Sequence, residues 1–308
     1  MRILFIDKVH PFLQKELEKR NYICDLFYNK NKEDIKEIIN LYDGIIIRSR
    51  FNIDQEFIKK ASKLKFIARA GSGMENINVK YAKSRKIRCY NAAEGNKQAV
   101  AEHALAMLLS LFNNLNRSDT EVRKGIWNRE KNRGIELSGK TIGIIGYGNN
   151  GSAFAKLTEG FSVKILAYDK YLKEYPNKSS MKEIYKKANI ISLHIPLTSE
   201  TTYLVNKKFI EQFNKPIYII NTSRGKCVNT KDLISAIKNE DIKGACLDVL
   251  EYEKDSFEEI VQKEKNSNME YLTNSEKVIL SPHIAGWSIE SHLKIAQVLL
   301  RKIICDFD

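Results

Sequence analysis

Short apolar runs alternate with amphipathic polar stretches over the first 95 residues of the chain. The apolar runs are short enough to be buried strands, and the polar stretches carry apolar residues at helical spacing. Because strands that alternate with helices form parallel sheets covered on both faces, this part predicts an α/β unit. The predicted strands are RILFID, GIIIRS and KFIARA, and the predicted helices are PFLQKELEKR and QEFIKKASK.

The same alternation restarts after a long apolar segment, QAVAEHALAMLLSLFNNL at 98–115, which contains neither glycine nor proline and predicts a buried linking or packing helix. Six apolar runs then predict a second α/β unit, and the amphipathic end at 288–307 predicts a terminal helix. The charged segment 254–277 shows no strand pattern and is long for a connection, so we expect a surface excursion. The six predicted strands are TIGIIG, VKILAYD, NIISLHIP, PIYIINT, KGACLDV and KVILSPH.

The composition is that of a folded globular protein, because 308 residues with 43% hydrophobic content suffice for two domains with separate cores. The longest apolar stretch, ALAMLLSLF at 104–112, is much shorter than the roughly 20 residues of a bilayer span, and MRILFID reaches an aspartate too early for a signal peptide. We therefore expect a cytoplasmic protein without a membrane partner. The five cysteines include no CxxC pair, so neither a disulfide framework nor a metal site is indicated.

The net charge of +13 raises the question of a polyanionic partner. The lysines, however, are interspersed with glutamates, as in NKNKEDIKEI and LQKELEKR, which is typical of solvated helix faces. We therefore expect no nucleic-acid partner. A basic surface serves equally well to attract a small anionic substrate.

A glycine-rich turn carries the first functional signal. Gly146, Gly148 and Gly151 have G-x-G-x-x-G spacing directly after a predicted strand and at the start of a predicted helix. This context favours a dinucleotide site, in which the pyrophosphate binds at the helix N-terminus. The next strand ends in Asp169, which can accept hydrogen bonds from ribose hydroxyls and would repel the 2′-phosphate of NADP, so NAD is favoured. The alternative is a structural glycine turn without a ligand, and the neighbouring Lys170 leaves some tolerance for NADP.

Three polar residues follow strands of the second unit, namely Arg224 in INTSRG, Glu253 in LDVLEYE and His283 in SPHIAG. Open α/β sheets bind ligands beyond the carboxyl ends of their strands, so these side chains could converge. Each also has an ordinary structural interpretation. Arg224 could form a surface ion pair, Glu253 lies in an acidic exposed run, and His283 could be packed in the core.

At this point the chain resembles a known family. The motifs GIIGYGNNG, SLHIPLT, INTSRG, GACLDVLEYE and SPHIAGWS, in this order, are similar to those of the D-isomer-specific 2-hydroxyacid dehydrogenases, as are RAGSGMENINV and AVAEHALAMLL. The resemblance implies that Arg224 holds the substrate carboxylate and the reacting oxygen, for which a guanidinium fork is suited. It implies that His283 is the general base on the 2-hydroxyl during hydride transfer to NAD, and that Glu253 orients the imidazole.

The resemblance also implies an architecture of two doubly wound parallel-sheet α/β domains with a cleft between them. Residues 1–95 and 287–308 would form a flavodoxin-like substrate domain, and 96–286 a Rossmann-type NAD-binding domain. The usual dimer of the family packs around the 98–115 helix, whose apolar residues exceed what one buried helix face requires, so we expect a homodimer. Beside the glycines, the implied cofactor-binding residues are Asn149, Asn150, Asp169, His194, Pro196, Thr222 and Asp248, and the implied contacts to the substrate carboxylate come from Ser72, Gly73 and Asn96.

Two arginines suggest the substrate. Arg48 and Arg50 in GIIIRSRF resemble the RSR of the 3-phosphoglycerate dehydrogenases, whose arginines grip a phosphate. Alternation along a strand would place both on one face, although either could form a structural ion pair. The sequence is therefore most like a short 3-phosphoglycerate dehydrogenase without C-terminal regulatory domains. The alternatives are a reductase of glyoxylate, hydroxypyruvate or another 2-keto acid, and a dinucleotide-sensing protein similar to corepressors of this fold.

Overall fold

The computed structural model describes residues 1–253 and 267–307, which fall into two compact units. The first unit comprises Met1–Lys97 and the chain from Trp287 onward, and the second comprises Gln98–Glu253 and the described residues up to Gly286. The strands are β1 Arg2–Phe5, β2 Ile23–Leu26, β3 Gly44–Ile47, β4 Phe66–Arg69, β5 Arg88–Tyr90, β6 Thr141–Ile145, β7 Lys164–Tyr168, β8 Ile190–Leu193, β9 Ile217–Asn221, β10 Ile242–Leu247 and β11 Val278–Leu280. The helices are α1 Pro11–Glu18, α2 Lys32–Ile38, α3 Gln55–Lys60, α4 Val79–Ser84, α5 Ala93–Phe112, α6 Leu115–Arg123, α7 Asn149–Thr158, α8 Met181–Lys187, α9 Lys207–Ile210, α10 Thr230–Lys238, α11 Ser267–Asn274 and α12 Ile289–Phe307.

The sheet of the first unit has the order β2-β1-β3-β4-β5, and all of its strand pairs are parallel. Alternate residues of β1 enter opposite cores. Ile3 and Phe5 pack with α1 and α12, whereas Leu4 and Ile6 pack with α2 and α3. The sheet is therefore buried on both faces, which explains why its central strands are continuous apolar runs. The strand order is that of a flavodoxin-like doubly wound fold.

The sheet of the second unit has the order β11-β10-β9-β8-β6-β7, again with parallel pairs throughout. From β6 the chain passes to β7 on one side and then to β8 on the other, so the strand order reverses at β6. Ligands of doubly wound sheets bind at the carboxyl ends of the strands at such a reversal. The predicted fold class, two doubly wound parallel-sheet α/β units of the Rossmann and flavodoxin-like types, is confirmed.

The apolar residues of α5 are used within the chain. Ala104, Leu105, Leu108 and Leu111 are buried in a core of the second unit together with strands β6 and β9. The surplus of apolar residues over what one helix face requires is therefore buried within the chain and does not by itself support an interface. Large apolar side chains are exposed instead after α5, at Leu115, Val122, Ile126, Trp127 and Ile135. Within the described residues, no helix combines the length and the apolar character needed to cross a bilayer.

Several element bounds differ from the predictions. Strands β2 and β5 were not predicted, because both lie at sheet edges and their sequences, ICDL and RCY, mix polar and apolar residues and contain no fully buried position. Helix α5 begins at Ala93 rather than 98, with the polar turn AEGNK as its first residues. The predicted excursion 254–277 contains α11, and its residues 254–266 lie outside the described part of the chain.

Candidate active site

The glycine turn between β6 and α7 is built from three positions with different requirements. Gly146 has φ +91°, and a Cβ there would lie 2.4 Å from the carbonyl oxygen of His194. A Cβ at Gly151 would lie 2.0 Å from the carbonyl oxygen of Gly146. In contrast, a Cβ at Gly148, the N-cap of α7, would meet no described atom within 4 Å. The first and third glycines thus close the turn, and the second leaves the N-terminal amides of α7 approachable for a phosphate.

Asp169 follows β7 and is fixed beside this turn. Its carboxylate accepts backbone N–H groups of Tyr147 at 2.8 Å, Tyr171 at 2.9 Å and Leu172 at 3.0 Å. Burial by itself would raise the pKa of Asp169, but these three hydrogen bonds outweigh it and hold the pKa below its ordinary value. The neighbouring Lys170 pairs with Glu200, which offsets its positive charge. A fixed negative charge at this strand end favours ribose hydroxyls over a 2′-phosphate.

Three buried polar atoms have no hydrogen-bond partner among the described residues, two of them at the glycine turn and one at the end of β9. They are Asn150 Oδ1 in the first turn of α7, His194 Nδ1 after β8 and Thr222 Oγ1 after β9. Leu193 pairs with Asn221 in the sheet, so His194 and Thr222 follow adjacent strand ends. A buried polar atom left unpaired costs about 1–3 kcal/mol, which a bound ligand with matching groups would offset. The orphaned atoms, the open Gly148 position and the fixed Asp169 fit a dinucleotide.

The burial of His194 leads to a prediction about how the stability of the protein depends on pH. Burial lowers its pKa to about 4, so the native protein takes up this proton only well below the ordinary value of 6.5. The unfolded chain therefore binds more protons between these values, and stability is lost as the pH falls through this window, by up to about 3 kcal/mol. We expect His194→Gln to flatten the pH dependence of urea unfolding of the protein without cofactor between pH 7 and 4. Parallel curves for the two proteins would contradict a buried neutral His194.

The predicted contact between His283 and Glu253 is present. His283 Nδ1 lies 2.7 Å from Glu253 Oε2, and both side chains are largely buried. Glu253 Oε1 accepts the backbone N–H of Leu250 at 2.5 Å, which fixes the carboxylate from its other side. Because Nδ1 faces a carboxylate, it carries the proton of this hydrogen bond in the neutral imidazole, and Nε2 is the basic atom.

The backbone of His283 is strained, which the sequence does not reveal. His283 has φ +56°, in the left-handed region that non-glycine residues rarely adopt. Asp248 holds three consecutive N–H groups of this loop, since its carbonyl accepts His283 N–H at 2.7 Å and its carboxylate accepts Ile284 and Ala285 N–H at 2.8 Å each. Asp248 was expected to border the cofactor. The structure shows its carboxylate bound to the His283 loop, and its place at the border of the cofactor site stays a prediction.

Arg224 lies in the loop after β9, next to the loop that carries Glu253. A Cβ at Gly225 would lie 2.0 Å from the Leu250 backbone, so the two loops touch and only glycine permits this approach. Asn221 donates to the Arg224 carbonyl at 3.0 Å, and Arg224 Nη1 donates to the Ser223 carbonyl at 2.6 Å. The loops of Arg224, Glu253 and His283 thus follow the adjacent strands β9, β10 and β11, as predicted.

Arg48 and Arg50 of the first unit have separate environments. Strand β3 ends at Ile47, so strand alternation does not apply to them and that argument for a shared face is wrong. Arg50 Nη1 donates to the carbonyl oxygens of Ile6 at 2.9 Å and Phe27 at 3.2 Å. The Arg48 guanidinium stacks on the exposed Trp287 ring, 3.9 Å from its centroid. Arg50 therefore has a structural role that the sequence did not show.

The loop after β4 holds the other expected substrate contacts. Ser72 Oγ donates to Asn96 Oδ1 at 2.7 Å, and Asn91 Nδ2 donates to the Ser72 carbonyl at 2.7 Å. Gly73 follows directly in this loop. The contacts fasten the Ser72 loop to the start of α5, so its position is fixed by the first unit itself.

The chain is similar to known proteins in sequence and in fold. The sequence model of the family described as D-isomer specific 2-hydroxyacid dehydrogenase, NAD binding domain, matches residues 105–285. A hydroxypyruvate reductase of Thermotoga maritima is 31% identical, with 88% of this chain and 87% of that protein covered. A D-3-phosphoglycerate dehydrogenase of Archaeoglobus fulgidus is also 31% identical, over 99% of this chain and 57% of that protein.

Among solved structures, the D-lactate dehydrogenase of Aquifex aeolicus in complex with NAD and lactic acid superimposes with a TM-score of 0.84 at 27% identity, covering 99% of this chain and 95% of that one. The chain spans little more than half the length of the D-3-phosphoglycerate dehydrogenases of Archaeoglobus fulgidus and Bacillus subtilis that it matches. The matched family domain and the relatives of similar length lead to the same assignment: the chain belongs to the D-isomer-specific 2-hydroxyacid dehydrogenases and carries their NAD-binding domain.

Proposed function

We propose that the chain oxidises 3-phospho-D-glycerate to 3-phosphohydroxypyruvate with NAD, the first step of serine biosynthesis, with the second unit binding the cofactor and the first unit the substrate tail. The observation that carries the dehydrogenase chemistry is the 2.7 Å contact of His283 Nδ1 with Glu253 Oε2, on a loop held in a strained conformation. A histidine whose second nitrogen is fixed by a carboxylate is suited to take and return a proton near neutral pH.

The proposed proton path runs through His283. Nε2 takes the proton of the 2-hydroxyl as the hydride leaves C2, and it returns a proton to the oxygen in the reverse direction. NAD supplies the hydride acceptor when it is bound. Glu253 keeps the imidazole in one tautomer and stabilises the imidazolium that forms. Arg224 binds the substrate carboxylate and the reacting oxygen with paired N–H groups, which places C2 for the transfer.

The residues proposed to hold NAD surround the glycine turn. The amides of Gly148 and Asn149 would bind the pyrophosphate, and Asp169 would accept hydrogen bonds from the ribose hydroxyls. The orphaned atoms of Asn150, His194 and Thr222 supply further polar contacts. Pro196 and Asp248 complete the proposed border of the site.

The substrate tail leads to a prediction that separates the two arginines. We expect Arg48→Ala to raise KM for 3-phosphohydroxypyruvate with little change in kcat, because a contact to the phosphate is made equally in the ground and transition states. KM for hydroxypyruvate should stay the same. Arg50→Ala should instead lower the free energy of unfolding by about 2 kcal/mol, since it removes charge-assisted bonds to two backbone carbonyls.

Steady-state kinetics with both keto acids and urea unfolding of both variants measure these effects. A KM for hydroxypyruvate that rises in parallel with that for the phosphorylated substrate would remove Arg48 from the phosphate site. An unchanged stability of Arg50→Ala would contradict its structural role.

A second candidate function is the reduction of hydroxypyruvate or glyoxylate. The observation that favours it is that the Arg50 guanidinium donates hydrogen bonds to two backbone carbonyls. Of the two arginines, Arg48 is then the one assigned to a phosphate. Relatives named as hydroxypyruvate and glyoxylate reductases also match most of their own length, with 87% and 82% covered. This reaction uses the same Arg224, Glu253 and His283.

The two candidates are separated by initial rates of NADH oxidation with 3-phosphohydroxypyruvate, hydroxypyruvate and glyoxylate. The proposed function predicts a preference of about a hundredfold or more in kcat/KM for the phosphorylated keto acid, equivalent to about 3 kcal/mol of transition-state binding. Equal or reversed values would favour the reductase. Binding of NADH without turnover of any keto acid would favour a dinucleotide-sensing protein.

The proposed assembly is a homodimer. Its support is the group of exposed apolar side chains on and after α6, among which Trp127 is 79% exposed and Leu115 is 53% exposed. Large apolar side chains gathered on one stretch of surface are typical of a protein interface.

A further inference from the structure

The loop that carries His283 is tied to helix α5 by a serine and a histidine that have no part in the proposed chemistry. Ser281 Oγ donates to Asp248 Oδ1 at 2.6 Å, and the same Oγ lies 2.8 Å from His103 Nε2. Asp248 in turn accepts the amides of Ile284 and Ala285. The chain of contacts thus runs from α5 through Ser281 and Asp248 to the loop of His283.

The direction of each hydrogen bond follows from the available protons. The Ser281 hydroxyl has one proton, and the short bond to a carboxylate oxygen takes it in preference to Met107 Sδ at 3.6 Å. His103 Nε2 must therefore be the donor to Ser281 Oγ, which sets the tautomer of His103. Nε2 also lies 3.5 Å from Asp248 Oδ1.

Asp248 needs these donors because it is 1% exposed. Burial alone would raise its pKa, but the nearby His103 and the hydrogen bonds from Ser281 and the amides of Ala285 and Ile284 outweigh burial and lower the pKa. Its carboxylate therefore stays ionised and accepts on both oxygens. Without the donors on its α5 side, Asp248 would have a buried charge with fewer bonds to hold its rotamer.

We infer that Ser281 and His103 are positioning residues that orient the Asp248 carboxylate. Asp248 in turn holds residues 283–285 in the backbone conformation that directs the His283 imidazole at Glu253. The left-handed φ of His283 costs about 1–3 kcal/mol and persists only where the surroundings impose it. The three N–H bonds to Asp248 impose it, and the α5 contacts fix Asp248. The inference rests on the proposed function in so far as His283 is the general base.

The kinetic test is Ser281→Ala beside Ser281→Thr, which keeps the hydroxyl. A displacement of a catalytic group by about 1 Å can lower the rate by about a hundredfold, so we expect Ser281→Ala to lower kcat with the best keto acid by about 10- to 100-fold. KM should stay nearly unchanged, because the substrate contacts remain. Ser281→Thr should restore most of kcat. Ser110→Ala, on the outer part of α5, is the matched control and should behave as wild type.

A second readout needs no turnover. The proton shared by His283 Nδ1 and Glu253 should give a separate downfield NMR signal in the protein without cofactor. We expect this signal to be kept in Ser281→Thr and His103→Gln, and to be lost by exchange in Ser281→Ala and His103→Leu, where the donor to Asp248 or to Ser281 is missing.

The two readouts separate failure of this inference from failure of the proposed function. Wild-type kcat and an unchanged Nδ1–H signal in Ser281→Ala would overturn the positioning role. A wild-type protein that turns over no keto acid would overturn the proposed function. The NMR comparison would still test whether Ser281 and His103 position the His283 loop. If Ser281→Ala does not fold, the same measurements are made at His103, by comparing His103→Leu with His103→Gln.

Discussion

Replacing His283 by alanine should lower kcat by about 10³-fold, the middle of the range that a positioned general acid–base contributes. The structure gives the reason. The Glu253 carboxylate bonds the imidazole and the Leu250 amide, and these described contacts give it the role of orienting the ring. Stopped-flow or steady-state measurement of NADH oxidation gives kcat.

The control for this variant is binding of NADH. The residues proposed to hold the dinucleotide lie at the glycine turn and at the ends of β7, β8 and β9, so the dissociation constant should change by no more than roughly twofold. His292→Ala, an exposed histidine of α12, is the matched substitution and should keep wild-type kcat. An equal loss of NADH binding and of turnover in His283→Ala would indicate a structural histidine.

Replacing Arg224 by alanine should have the second largest effect, a loss of a hundredfold or more in kcat/KM. Two charge-assisted hydrogen bonds to the carboxylate and to the reacting oxygen contribute about 1.5–3 kcal/mol each, and the second strengthens as charge develops on that oxygen. Both kcat and KM should therefore worsen. Arg224→Lys keeps the charge but loses the fork, so it should recover only part of the activity.

The structural contacts of Arg224 provide the check on this interpretation. Its side chain donates to the Ser223 carbonyl, and its backbone is held by Asn221, so the loop itself is fixed mainly by main-chain contacts. Thermal unfolding of Arg224→Ala should stay close to wild type. A large loss of stability with an unchanged KM would assign Arg224 to the fold rather than to the substrate.

The fold could be predicted where strands are buried on both faces. GIII of β3 and IISL of β8 are fully buried, and such runs stand out from amphipathic helices. Edge strands β2 and β5 could not be found in this way, because neither contains a fully buried residue and their sequences mix polar and apolar residues. The start of α5 was also missed, since its first turn is polar and only its later turns enter the core.

The functional roles of the glycine turn, Asp169, Glu253 and His283 stay predictions, but their places after strand ends could be predicted from residue type and strand pattern. Contacts between segments far apart in the chain could not. Arg50 bonds to the carbonyls of Ile6 and Phe27, and Ser281 joins Asp248 to His103 of α5. The left-handed backbone of His283 has no signature either, because the sequence offers no glycine there and the conformation is imposed by Asp248.

The central claim is that this chain transfers a hydride between a nicotinamide and C2 of a D-2-hydroxy acid. The most direct test is to incubate the protein with 3-phosphohydroxypyruvate, or with hydroxypyruvate if that is the better substrate, and NADH that carries deuterium at the transferable C4 position. We expect one deuterium at C2 of the product, which should have the D configuration, and transfer slowed by about 10³-fold with His283→Ala under the same conditions. Product without deuterium at C2, product of the L configuration, or no oxidation of NADH with any 2-keto acid would contradict this claim.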